Sequence, residues 1–201
     1  MSSDNNLLSS ESQKEDEQLI VRCRKDDSMA AFGLLVVKYQ DRLFNTALRM
    51  VGNYDDALEI TQEAFCRALR SLSRFRGGSV FYTWLFRIAM NLCIDHKSKK
   101  HRLRIADNYN SNDVSETQAG TLFDIMESRE PSPTKTVANR EDYHRILAAI
   151  EALSPQDRAI IVLREIEALD YKHISKVLEI PLGTVKSRLA RIRFKLRENL
   201  Q

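Results

Sequence analysis

The chain has 201 residues, room for one large domain or two small ones, and 43% of them are apolar, the usual share for a chain that folds around a core. Glycine (6) and proline (4) are scarce while Leu, Ala, Glu, Arg and Lys abound, so helices are favoured over sheets. The net charge of +3 excludes little, but no apolar run approaches the roughly 18 residues that cross a bilayer, and the opening MSSDNNLLSSESQKEDEQ has no signal-peptide core; a cytoplasmic chain, neither membrane-spanning nor exported, is expected.

Residues 1–17 hold Asp4, Glu11, Glu15, Asp16 and Glu17 against Lys14 and are expected to form a disordered acidic tail. From 18 to 104 apolar residues recur at spacings of three and four, which predicts a helical bundle. Ser28 caps a helix through AAFGLLVVKYQDRLFNTALRM that stops at Gly52-Asn53. Asn53 caps a second helix, YDDALEITQEAFCRALRSL, with Asp55 and Asp56 near its positive end. By periodicity Leu58, Ala64, Phe65, Ala68, Leu69 and Leu72 form its core face. Asp56, Glu59, Glu63, Arg67 and Arg70 point outward, Ile60 lies at an off-core angle and Gln62 at a margin. After Arg76-Gly77-Gly78, Ser79 is expected to cap VFYTWLFRIAMNLCIDHK, where Trp84, Leu85, Ile88 and Leu92 share a face. That helix runs into Lys97, Lys99, Lys100, Arg102 and Arg104, a block without an acid.

Residues 105–135 read as an acidic flexible linker in which Leu122, Phe123, Ile125 and Met126 are the one apolar cluster able to dock as a short turn. A second helical unit follows over 136–201: ANREDYHRILAAIEAL, then Ser154-Pro155, a cap followed by proline at the first helical position, then QDRAIIVLREIEA. Asp170 caps YKHISKVLE; Ile180-Pro181-Leu182-Gly183 reads as a turn with Gly183 tolerating positive φ; Thr184 is expected to cap the last helix. Short helix, tight turn, second helix is the helix-turn-helix arrangement. Between Ile180 and Arg197 stand six cations and no acid. Val185, Leu189, Ile192, Leu196 and Leu200 face the core, while Ser187, Ala190, Arg191 and Phe194 face out. Lys186, Arg193 and Arg197 line one edge, and Arg188 and Lys195 the other, as suits a helix in a major groove. Two basic blocks about an acidic tether imply two polyanion-binding surfaces.

Cys23, Cys66 and Cys93 are odd in number, without a CxxC pair, and fall in helical segments; reduced cysteines are expected. His96, His101, His144 and His173 do not combine with them at zinc spacings. No phosphate loop or nucleophile–base pair is present, so no enzyme, metal, cofactor or small-molecule substrate is expected.

GTVKSRL after YKHISKVLEIP resembles the C-terminal domain of the extracytoplasmic-function (ECF) group of sigma factors. AAFGLLVVKYQDRLFNTALRMVGNYDDALEITQEAFCRAL and FRGGSVFYTWLFRIAMN resemble the N-terminal sigma domain. The chain departs from the family at Leu58, where an acid is usual, and at Lys97, where Arg is favoured. The resemblance implies an all-α protein of two small helical domains, an N-terminal bundle and a C-terminal helix-turn-helix unit. It implies an alternative sigma factor that binds core RNA polymerase, recognises promoter DNA and helps open it. By that resemblance Asp56, Glu59, Ile60, Gln62 and Glu63 meet the large-subunit clamp, with Ile60 as an exposed apolar anchor. Trp84, Asn91, Asp95, Lys97, Lys99, Lys100 and Arg102 meet the −10 element. Thr184, Lys186, Ser187, Arg188, Arg191 and Lys195 meet the −35 element, with Arg191 the choice for base reading. An anti-sigma partner is common in the group. The competing expectation is a helix-turn-helix regulator whose N-terminal unit dimerises or senses.

Overall fold

Three serines, an asparagine and an aspartate start five of the described α-helices, in each case through a side-chain oxygen that accepts an otherwise unpaired N–H. The computed structural model describes residues 9–26, 28–75, 77, 80–108 and 149–198. Helix α1 (Ser10–Lys25) begins at Ser9, whose hydroxyl accepts from Ser12 N–H at 3.2 Å. Helix α2 (Met29–Val51) begins at Ser28 and ends at Gly52, whose φ of 79° is the left-handed cap conformation. Helix α3 (Tyr54–Ser71) begins at Asn53, which accepts from Asp56 N–H at 2.9 Å, and runs into a 3-10 turn, Leu72–Arg74. Helix α4 covers Phe81–Asn108. Helix α5 (Pro155–Ile161) starts at Ser154 and continues into a π-helical turn, Val162–Ile166. Helix α6 (Tyr171–Leu178) starts at Asp170, and α7 covers Leu182–Glu198. No strand occurs among the described residues, and none of their helices is long and apolar enough to cross a membrane.

The expected caps Ser28, Asn53, Ser154 and Asp170 are all in use. Ser79, the 122–126 cluster, most of the 136–153 helix and Leu200 lie outside the described residues. The acidic stretch before residue 18 departs from expectation, since residues 10–17 belong to α1. Asp16 is the reason: it is buried, accepting from the Tyr39 hydroxyl at 2.5 Å and from Lys38 Nζ at 2.7 Å. Those partners lie on α2, so no local pattern reveals them. Arg24 locks the other end of α1, donating to Leu72 O at 3.0 and 2.8 Å from Nε and Nη2.

Within the N-terminal bundle α2 packs against α1, α3 and α4. Leu35, Tyr39, Leu43 and Ala47 of α2 meet Tyr82, Leu85, Phe86 and Ala89 of α4 in one core. Cys93 is fully buried there, and burial pushes its thiol up to about 12. In the C-terminal unit Ile174, Val177, Val185, Leu189 and Ile192 pack with Ile160 and Leu163 and continue the same core.

The two units are not separate bodies. Helices α5 and α6 pack on α4, and the π turn contacts α2. Residues 159–163, AIIVL, are buried without interruption, the behaviour of a helix covered on every side. One side of it faces α7 and the other the N-terminal bundle. Beyond the π turn, buried Glu167 reaches into that bundle and takes hydrogen bonds from Arg42, Thr46 and Tyr82.

Candidate nucleic-acid interface

Helix α7 begins two residues before the expected cap. Val185 N–H donates to Pro181 O at 3.1 Å, so the fixed φ of proline opens the helix and Thr184 is its third residue. Gly183 is helical; the left-handed residue of the turn is Glu179, with φ 53°, directly after α6. The outward assignment survives this shift. Val185, Leu189 and Ile192 are buried, whereas Lys186, Ser187, Ala190, Arg191, Phe194 and Lys195 are exposed, and Thr184 and Arg188 are half-buried. Ser187 Oγ donates to Thr184 O at 3.2 Å, folded back on its own helix.

Three arginines of α7 are oriented by acids of α5 and the π turn. Arg191 Nη2 lies 3.0 Å from Asp157 Oδ2, and Arg188 Nη1 lies 3.7 Å from Asp157 Oδ1. Asp157 is only 6% exposed and sits in the first turn of α5, its own N–H capped by Ser154 at 3.2 Å. Arg193 Nη2 pairs with Glu165 at 2.8 Å, a bond that raises the arginine's pKa. Sequence reasoning missed Asp157. The signal available was Ser-x-x-Asp, a capping box whose acid here turns away from the cap towards α7.

On α4, 100° per residue brings Trp84, Asn91, Asp95, Lys99 and Arg102 to one side of the helix. The last four are exposed and Trp84 is half-buried, its ring 5.0 Å from Phe75 and 5.7 Å from Phe81. Lys97 and Lys100 fall on the far flank by the same geometry. Lys100 Nζ and His96 Nε2 both meet Asp56 Oδ2, at 3.3 and 3.1 Å, joining α4 to the start of α3. The predicted cationic track is therefore split between two flanks.

On α3 the expected core face holds at Ala64, Phe65, Ala68 and Leu72 but fails in the first turn. Ile60 is 6% exposed and belongs to the core with Ala57, Ala64, Phe65 and Ala68, while Leu58 is 40% exposed. Three alanines let α3 approach its neighbours closely, and Ile60 fills the space beside them; an outward apolar anchor at Ile60 is excluded. The exposed stripe is Asp55, Leu58, Glu59, Gln62, Cys66 and Arg70. Glu63 is half-buried beside it, and a 2.7 Å hydrogen bond from Arg67 holds its carboxyl below the usual range.

Comparison with known proteins bears on both modules. Residues 35–103 match the family model Sigma-70 region 2, and residues 143–196 match Sigma-70, region 4. The chain is 34% identical over 189 residues to the RNA polymerase sigma-H factor of Pseudomonas aeruginosa, covering 94% of this chain and 95% of that protein. It is 36% identical over 179 residues to the ECF RNA polymerase sigma-E factor of Escherichia coli, covering 89% and 90%. Its fold is similar to CnrH, solved in complex with the cytosolic domain of CnrY (TM-score 0.61, 21% identity, 94% of this chain and 96% of that one). It is also similar to the sigma factor RpoE from Bartonella quintana, solved with the anti-sigma factor NepR (TM-score 0.60, 22% identity, 84% and 96%). With both sigma modules matched in order along one helical chain, the protein belongs to the sigma-70 family and, within it, to the ECF group of alternative sigma factors that direct transcription initiation.

Proposed function

We propose that the chain selects promoters through two DNA contacts that core RNA polymerase holds at the correct spacing. The exposed face of α3 docks on the clamp of the large subunit: Glu59, Gln62 and Glu63 supply polar contacts, Leu58 the apolar centre, and Asp56 the margin next to α4. Ile60 supports that face from below.

On α4, Asn91 reads an unpaired base of the −10 strand with paired donor and acceptor atoms, and Asp95 borders the same pocket. Trp84 offers a partly exposed ring for stacking, while Lys99 and Arg102 follow the phosphates. Lys97 and Lys100 add positive potential from the other flank. On α7, Arg191 reads a base of the −35 element, with Thr184 and Ser187 close to the groove and Lys186, Arg188 and Lys195 on the phosphates. Helix α4 runs through Asn108, so the tether between the two contacts begins beyond it and not at residue 105. The work is binding and strand capture in the cytoplasm, so no catalytic residue or cofactor enters, and an anti-sigma partner would act by masking these surfaces.

The observation that carries this reading is the alignment of Trp84, Asn91, Asp95, Lys99 and Arg102 along one side of α4, within the segment that matches region 2. Promoter-dependent transcription with purified core enzyme tests it. Specific transcript is expected only when the chain is added, and Glu59→Arg with Gln62→Arg should lower core affinity at least tenfold with helicity unchanged. A chain that binds promoter DNA tightly by itself and gives no transcript with core enzyme would instead be a helix-turn-helix regulator.

A further inference from the structure

The most heavily bonded side chain between the two units has no part in the roles above. Glu167 is 3% exposed, and among the described residues the polar partners of its carboxylate all belong to the N-terminal bundle. Arg42 Nε meets Oε2 at 2.5 Å, Thr46 Oγ1 meets Oε1 at 2.6 Å and the Tyr82 hydroxyl meets Oε2 at 3.2 Å; Arg42 Nη2 also donates to the Glu167 carbonyl at 3.1 Å. The Arg42 guanidinium lies over the Tyr82 ring, 5.0 Å from its centroid. A buried carboxylate is tolerated only when its charge is balanced and its lone pairs are filled, and all of that balance comes from the other domain.

A second observation falls at the far end of α6. Glu179 pairs with Arg87 of α4 at 2.8 Å. Among the described residues the two non-glycine residues with left-handed backbone are Glu179 (φ 53°) and Ala168 (φ 52°), the neighbour of Glu167. Among the described residues, strain of this kind occurs only where α6 is turned so that a carboxylate reaches the N-terminal bundle, and such strain persists where surrounding contacts enforce it. The π turn adds to the same end: Glu167 N–H donates to Val162 O at 3.1 Å.

We propose that Arg42, Thr46 and Tyr82 form a carboxylate socket which, filled by Glu167, clasps the two domains shut in the free chain and must be vacated before the chain spans a promoter. This regulation rests on the promoter-binding reading above. Elements about 25 base pairs apart lie roughly 85 Å apart along B-DNA at about 3.4 Å per base pair. A compact chain of this length has a radius of gyration of roughly 17 Å, far too small to reach both. The covalent chain permits opening, since the 40 residues from 109 to 148 can extend to roughly 130 Å. A closed state populated tenfold over the open one weakens apparent affinity for any partner of the open state about tenfold.

Charge reversal in the full-length chain tests the clasp. Small-angle X-ray scattering should show Arg42→Glu and Glu167→Arg each expanding the radius of gyration by about a fifth or more, with helicity by circular dichroism preserved, and the double variant returning to the compact value. Both single variants should bind core polymerase about five- to tenfold more tightly than the parent, and the double variant should bind like the parent. Unchanged dimensions overturn the clasp, and so does expansion without tighter core binding. If a single variant loses helicity, Glu167→Gln takes its place under the same two criteria. A parent chain that is inert with core enzyme but opens on charge reversal removes the promoter reading and its regulation while leaving the socket in place.

Discussion

Helices α4 and α7 both present cations to solvent, but they do so by different means. On α7 the central outward Arg191 and the edge residues Arg188 and Arg193 are held from neighbouring elements: Asp157 of α5, itself buried, is shared by Arg191 and Arg188, and Arg193 is held by Glu165 of the π turn. Along Asn91, Asp95, Lys99 and Arg102 of α4 no such brace appears among the described residues; Asp56 takes Lys100 and His96 on the opposite flank. A pre-oriented guanidinium loses less freedom on forming two aligned hydrogen bonds and can distinguish one base from another. A row of flexible cations on a regular helix tracks phosphates whatever the sequence. On the proposed reading, then, α7 supplies discrimination, and α4 supplies affinity with a single point of base capture at Asn91.

The comparison breaks most sharply at Arg191. Arg191→Lys keeps a charge for Asp157 but loses the planar fork, and should cost about 1–3 kcal/mol at one base pair of the −35 element. Binding of holoenzyme to a set of single-substitution promoters measures it, and equal weakening on every sequence would make Arg191 a phosphate contact. Alanine is a poorer choice there, because it strands a buried carboxylate. Next in size, Lys99→Ala with Arg102→Ala should weaken binding equally on all promoters and reduce the slope of log K against log salt by about 2. An altered sequence preference would give α4 a reading role beyond Asn91. The smallest effect belongs to Asp157→Asn, which keeps the shape but releases the arginines. It should narrow discrimination at the Arg191 position by under about 1 kcal/mol while leaving total phosphate contact, and hence the salt slope, as it was.

Much of the architecture is written locally in the sequence. Ser28, Asn53, Ser154 and Asp170 act where their side chains satisfy nearby N–H groups, and Val185, Leu189 and Ile192 repeat at a spacing that allows one buried face. The outward face of α7 was legible for the same reason. What the sequence concealed depends on partners far along the chain. Asp16 reads as one acid among several until Tyr39 and Lys38 are brought to it. On α3 the core face was read correctly at Ala64, Phe65, Ala68 and Leu72, but its first turn was misread because the large Leu58 outweighed Ala57 and Ile60, although closely packed helices bury alanine as readily as leucine. Pro181, by opening α7, displaced Thr184 from the capping position. The run AIIVL carried a signal that was not used: five successive apolar residues exceed what a helix with one solvent face requires, and they point to the second domain packed across it.

Helix α4 extends over 28 residues, about 42 Å at 1.5 Å per residue, and carries Tyr82 and Arg87 near its start, Asn91 and Asp95 in its middle, and Lys99 and Arg102 towards its end. One wall of the carboxylate socket, the residues proposed for base capture and those proposed as the cationic track therefore share one stiff rod. A rod of this kind does not dilute a local event by bending. The C-terminal domain is either docked along it or released from it, and the chain behaves as a latch with two positions, not as a spring that yields by degrees.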